Sequence, residues 1–174
     1  MGQSMLLTEI KEYWTGRAEG YSAVNQEELQ GCQRKNWAAF LDGRIMGHFS
    51  GLARRELHIL DIGAGPGFLS IILSELGYQV TAADYTEAML AQAQLNAGAL
   101  AGRIHFVKED AHALTMPDET FDVVFSRNLT WNLEEPKQAY GEWMRVLKEG
   151  GRLLNFDANW YHHLFDSRMR RRYE

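Results

Sequence analysis

The sequence has a single cysteine, Cys32, in 174 residues. One thiol cannot close an intramolecular disulfide, which excludes a disulfide scaffold and a multi-cysteine zinc site. Cys32 is expected to pack as a small apolar residue rather than to act as a nucleophile. No apolar run approaches the roughly 20 residues that span a bilayer, and the N-terminus lacks the basic-then-apolar pattern of a secretory signal. The expectation is a cytoplasmic protein with no membrane segment and no metal. Basic charge is in the minority, with 18 Lys and Arg against 23 Asp and Glu and a formal net charge of −5. Duplex affinity rests on clustered cations that neutralise phosphates, so this balance counts against nucleic acid as a partner. The basic run at 168–172 reads as a solvated helix face. Internal repeats, low-complexity segments and Pro/Gly/Ser-rich linkers are absent too. With 45% hydrophobic and 24% charged residues, one globular domain over 1–174 is expected.

After about residue 56, short apolar runs rich in β-branched residues alternate with stretches of helical period, as in βαβ units. Strands are expected at 57–62, 79–84, 103–107, 121–126 and 151–157, and helices at 67–76, 86–96 and 135–147. Gly77, Gly98 and the Gly150-Gly151 pair stand at or just after the helix ends as breakers, and Thr86 stands where a helix N-cap belongs. The fold class is therefore α/β, a doubly wound, Rossmann-like, mostly parallel sheet. The first 55 residues read as a helical cap, with a helix at 6–15, a polar-aromatic bend at 16–25 and a longer helix at 26–49. Residues 56–157 then form the core, and 158–174 a helical tail.

The strongest local signal is Ile59-Leu60-Asp61-Ile62-Gly63-Ala64-Gly65-Pro66-Gly67-Phe68-Leu69-Ser70, a buried strand that runs through a glycine-rich turn into a helix. In a doubly wound sheet that turn lies at the switch point where ligands bind. The spacing is Gly-x-Gly-x-Gly, and Phe68 occupies the place where a dinucleotide fold needs its third glycine, so pyrophosphate binding is disfavoured. No Lys-Ser/Thr pair follows, which excludes a nucleoside-triphosphate P-loop. Asp84 ends the second strand, where a carboxylate can accept both hydroxyl protons of a ribose. Asp61 is placed to meet a cationic amino group or to fix the loop's own amides. Tyr85 and Met89 are expected on the two sides of an adenine, or else in the core. The Phe68 and Leu69 amides begin the helix and can meet a ligand's polar end.

These residues resemble the class I S-adenosylmethionine-dependent methyltransferase family, most closely its broad type 11 branch. Asp61-x-Gly63-x-Gly65-x-Gly67 resembles that family's motif I, and Asp84 the acid that holds the ribose. Asp110-Ala111 resembles the segment beside the adenine, and His112, next in line, is a further contact or a loop residue. Phe121–Arg127 followed by Asn128 looks like motif IV, and Arg145-Val146-Leu147-Lys148-Glu149-Gly150-Gly151 like the approach to strand five. The segment Tyr13-Trp14-Thr15-Gly16-Arg17-Ala18-Glu19-Gly20-Tyr21 is similar to an aromatic lid.

The resemblance implies strand order 3-2-1-4-5, S-adenosyl-L-methionine as cofactor with S-adenosyl-L-homocysteine as product, and methyl transfer to a small-molecule acceptor. Tyr13, Tyr21, Ala64, Gly65, Arg127 and Asn128 join the expected cofactor contacts. His162 and His163 are the candidates for a general base. A sulfonium is already activated, so positioning and water exclusion suffice and no catalytic triad is required. Two competing readings are a cofactor-binding regulatory or assembly subunit without catalysis, and a nicotinamide oxidoreductase, which Phe68 disfavours. The family's sheet continues beyond strand five, where only 158–174 remain here. Leu153, Leu154 and Phe156 are therefore expected at an exposed sheet edge, in a piece of a longer chain or beneath a partner chain or second copy.

Overall fold

The computed structural model describes residues 5–158. Five strands form one parallel sheet in the order β3-β2-β1-β4-β5: β1 (His58–Ile62), β2 (Gln79–Asp84), β3 (Ile104–Lys108), β4 (Phe121–Arg127) and β5 (Leu147–Phe156). The expected strand order and doubly wound class are borne out. β1, β2 and β4 are nearly continuous apolar runs because helices or loops cover both their faces. One face carries α2 (Cys32–His48), α3 (Phe68–Glu75) and the end of α4 (Glu87–Ala97), with Leu41, Ile45, Ile59, Ile72, Val123 and Phe125 at its centre. The other carries α5 (Pro136–Val146) and residues 111–116, packed around Leu60, Val124, Phe121 and Trp143.

The N-terminal region differs from expectation. A single helix, α1 (Met5–Gln30), runs through Gly16 and Gly20, and the break falls at Gly31, which is extended (φ −86°, ψ −175°). Glycine inside a helix costs only about 1 kcal/mol relative to alanine. Tertiary packing outweighs that here, because Ala18, Ser22 and Asn25 are buried along one stripe. Asn96 of α4 fastens the stripe: it accepts from Ser22 Oγ at 3.2 Å and Gln26 Nε2 at 2.7 Å, and donates to the Pro66 carbonyl at 3.0 Å. α2 is anchored differently, by Leu41 and Ile45, both fully buried.

Two further expectations need correction. Thr86 occupies the N-cap position of α4, but its side chain caps no backbone amide of the helix. Its own amide instead donates to Asp84 Oδ1 at 2.8 Å. The Gly150-Gly151 pair lies inside β5 rather than before it, since Leu147 already pairs with Phe121 and a bulge then shifts the register to Val123 and Arg152. Leu153, Leu154 and Phe156 are half-buried. Phe156 stacks on Phe125 at 5.4 Å and meets Trp37 and Phe40 of α2 edge-on. Among the described residues β5 pairs only with β4, so its far edge is open. No helix among them is long and apolar enough to cross a membrane. Most of the expected tail at 158–174, with His162 and His163, lies outside the described residues.

Candidate functional site

The carboxyl ends of β1, β2 and β4 open into a crevice roofed by α1. Gly63 and Gly65 line it, whereas Gly67, an expected contact, lines neither it nor the recess beside it. Gly67 is left-handed (φ +88°) and begins α3, and a Cβ there would stand 3.0 Å from Ala93 Cβ. Gly63 is also left-handed (φ +68°), and a Cβ would stand 2.8 Å from the Leu129 side chain. Only glycine meets both demands, of conformation and of space.

Asp84 closes β2 and lines the crevice. Its Oδ2 accepts the Gly65 amide at 2.9 Å and its Oδ1 the Thr86 amide at 2.8 Å, so one carboxylate fastens the glycine loop to β2 while facing the cavity. Burial raises its pKa, and the Thr86 and Gly65 hydrogen bonds oppose the rise. Tyr85, Thr86 and Met89 continue the same wall, with Met89 buried.

Asp61 is buried at the end of β1 and accepts from Ser70 Oγ at 2.5 Å. Burial pushes its pKa up to about 6. The Ser70 hydroxyl and amide oppose the shift, the negative Asp84 adds to it and Arg127 reduces it. A carboxyl raised above its unfolded value stabilises the fold fully below about pH 4 and loses that stabilisation as pH rises through about 6. Between pH 4 and 7 the native chain should therefore lose stability relative to Asp61→Asn, whose amide oxygen can still accept from Ser70. Denaturant midpoints of both proteins across that range would reveal it, and parallel curves would contradict the assignment.

The helix period sorts the aromatic residues of α1. Ile10, Trp14 and Tyr21 share one face and line the crevice, whereas Tyr13 is 53% exposed and packs edge-on against Trp14. Of the expected pair, the structure places Tyr21 at the crevice and Tyr13 outside it. Trp14 meets Tyr21 at 5.6 Å and Trp131 at 6.4 Å, forming an aromatic rim. Trp131 donates its Nε1 proton to the Asn128 carbonyl at 2.9 Å. That hydrogen bond braces the left-handed turn at Asn128 (φ +58°).

Arg127 lines the crevice, but its guanidinium is committed elsewhere. It pairs with Glu28 of α1 at 3.0 and 3.2 Å and lies over the rings of Phe68 (4.8 Å) and Trp37 (5.3 Å). Ala64, Phe68 and Leu69 border a narrower recess continuous with the same loop. Glu109 and Ala111 line the crevice on either side of Asp110. Asp110 itself accepts from the His112 amide and the His112 Nδ1, both at 2.9 Å. His112 Nε2 accepts from the Glu135 amide at 3.3 Å, so the imidazole ties the β3–β4 loop to α5 and lies outside the crevice wall.

Sequence reasoning had not singled out Ile10, Glu109, Leu129 or Asn132, which also line the crevice. A helical-period count could have found Ile10. Glu109 and Leu129 sit in loops and Asn132 in a single 3-10 turn (Thr130–Asn132), none of which carries a periodic signal.

Residues 60–155, more than half of the chain, match a family model described as a methyltransferase domain. The chain is 41% identical over 98 residues to the demethylmenaquinone methyltransferase of Clavibacter sepedonicus, covering 55% of this chain and 39% of that protein. It is 32% identical over 157 residues to the ubiquinone/menaquinone biosynthesis C-methyltransferase UbiE of Azotobacter vinelandii, covering 87% of this chain and 59% of that protein. Thus it spans about half the length of these relatives.

Among solved structures, it resembles the PH0226 protein of Pyrococcus horikoshii OT3 (TM-score 0.66, 25% identity, 79% of this chain and 64% of that one). It also resembles a candidate S-adenosyl-L-methionine-dependent methyltransferase of Methanococcus maripaludis (TM-score 0.67, 26% identity, 82% and 63%).

Proposed function

We propose, on the premise that this chain belongs to the methyltransferase domain family, that it binds S-adenosyl-L-methionine in the crevice and methylates a small quinone-type acceptor. The observation that carries this reading is the Asp84 carboxylate, held by the Gly65 and Thr86 amides with its remaining lone pairs toward the cavity. That arrangement suits two vicinal hydroxyls. Tyr85 and Met89 offer an apolar surface for a planar base, beside Ala111. Asp61, Ala64, Phe68, Leu69 and Asn128 border the recess on the other side of the glycine loop, which suits a short zwitterionic chain.

The residues present therefore fit the cofactor, which when bound supplies an activated methyl group on a sulfonium. The chain's own work is to hold and to exclude. α1 roofs the crevice and keeps water from it, and Tyr21 and Trp14 present aromatic faces that favour a cation. The rim of Trp14, Trp131 and Leu129 suits a flat, apolar acceptor, in keeping with the quinone names borne by the relatives. Asp110, His112 and Tyr13 belong to this proposal as supports of the adenine-side loop and of the lid. Residues 1–55 are assigned the cap and 56–157 the cofactor-binding core.

Calorimetric titration with S-adenosyl-L-homocysteine and with NAD tests the reading. S-adenosyl-L-homocysteine should bind, and Asp84→Ala should weaken it about thirtyfold, roughly 2 kcal/mol for hydrogen bonds to a charged group. NAD binding in its place would overturn the cofactor assignment. Binding without methyl transfer to a demethylated quinone would overturn the acceptor.

A further inference from the structure

At the opposite end of the sheet from the crevice, the amino ends of β1, β2 and β3 form a groove of about 440 Å³. This is within the range of small-molecule clefts, about 300 to 1,000 Å³. Strand register puts His58 beside Gln79 and Thr81 beside His105, on the sheet face whose only helix is α5. At the amino ends of the strands this face is left partly open, with His58 and Thr81 half-buried and His105 exposed. Arg55 and Arg103 stand at the rim.

Of the described arginines, Arg55, Arg103 and, on β5, Arg152 have neither a carboxylate nor an aromatic partner. Arg34, Arg54, Arg127 and Arg145 are each paired with carboxylates, and Arg17 and Arg44 lie over aromatic rings. Among the described residues neither Arg55 nor Arg103 has a carboxylate partner, and no carboxylate lines the groove. Arg103 donates one proton to the Ser74 carbonyl at 3.0 Å and keeps its other donors. Asp122, which accepts the His58 amide, is neutralised by Lys148 at 2.9 and 3.0 Å. Two guanidinium groups, two imidazoles and the Thr81 hydroxyl therefore line one groove with no carboxylate among its walls. Guanidinium geometry matches phosphate oxygens in pairs.

From this arrangement we infer that the groove lined by Arg55, His58, Thr81, Arg103 and His105 is a binding site for a diphosphate-bearing ligand. The site is independent of the crevice. Its placement also favours a free phosphate compound over a lipid headgroup, because a bilayer held there would face away from the crevice mouth.

The test is calorimetric titration of the full chain with inorganic pyrophosphate, with co-sedimentation on phosphatidylglycerol vesicles as a second arm. Saturable one-to-one pyrophosphate binding is expected, weakening as salt is raised. The double variant Arg55→Gln/Arg103→Gln should lose about tenfold or more, and Arg55→Gln alone part of that. Arg55→Gln makes a clean comparison, since among the described residues the Arg55 side chain has no hydrogen bond or ion pair and its backbone carbonyl accepts from Gln79. Asp84→Ala and saturating S-adenosyl-L-homocysteine should leave binding unchanged. Vesicle capture that needs both arginines, without pyrophosphate binding, would assign the same phosphate chemistry to a lipid and overturn the free ligand. Binding to neither probe, binding indifferent to the arginines, or competition by S-adenosyl-L-homocysteine would overturn the site altogether.

Discussion

Trp143→Ala should lower the stability of the chain by about 4 kcal/mol, the range found when a large buried aromatic is truncated. For a domain of this size that is on the order of 10 °C in thermal midpoint. The indole is fully buried at the centre of the α5 face, and its Nε1 donates to the Ala111 carbonyl at 3.0 Å. Truncation therefore opens a cavity and strands an acceptor. Ala111 lines the crevice, so cofactor affinity should fall even in the folded fraction. Trp143→Phe separates the two effects: it keeps most of the apolar bulk and loses the hydrogen bond, at a cost of about 1 to 2 kcal/mol. Chemical denaturation of the three proteins decides the matter. A loss below about 1 kcal/mol for the alanine variant would mean that α5 is not packed as described.

Gly67→Ala is the second large effect. The added methyl must adopt a left-handed backbone, at about 1 to 2 kcal/mol, and stand 3.0 Å from Ala93 Cβ and 3.3 Å from Ala93 Cα. Overpacking of that kind adds about 1 to 3 kcal/mol, for a total near 3 kcal/mol. The strain is relieved by moving α3 away from α4. Such a shift carries Ser70 off Asp61 and distorts the loop that Asp84 holds, so S-adenosyl-L-homocysteine binding should be lost along with stability. Gly141→Ala is the control: it lies inside α5 with nothing within 4 Å of a new Cβ, and should stabilise by about 0.5 to 1 kcal/mol. Equal effects at the two glycines would refute the steric account.

The sheet was legible because buried parallel strands write themselves as short apolar runs, and β2 was bounded correctly at both ends, Gln79 and Asp84. Asp84 was legible for the same reason, as the acid that stops such a run beside the glycine loop. The cap was misread where local propensity and tertiary packing disagree. Gly16 and Gly20 look like breakers, yet both lie in open space on a helix whose buried stripe binds α4. Tyr13 and Trp14 are adjacent, and since adjacent helical residues point about 100° apart, only Trp14 of the two reaches the crevice. Arg127 shows a different limit. Its partner Glu28 lies 99 positions upstream, and no local pattern announces a pairing of that range.

The break at Gly31 divides the N-terminal region into two helices with different kinds of attachment. α2 is held by fully buried side chains. α1 is held by its buried stripe of Ala18, Ser22 and Asn25, by the Asn96 cluster and by the half-buried Glu28–Arg127 pair. Any displacement of α1 relative to α2 would have to turn at the extended Gly31. Substitutions at Ala18 and Ser22, on the stripe that faces α4 and outside the crevice lining, would therefore change access to the crevice without altering its walls.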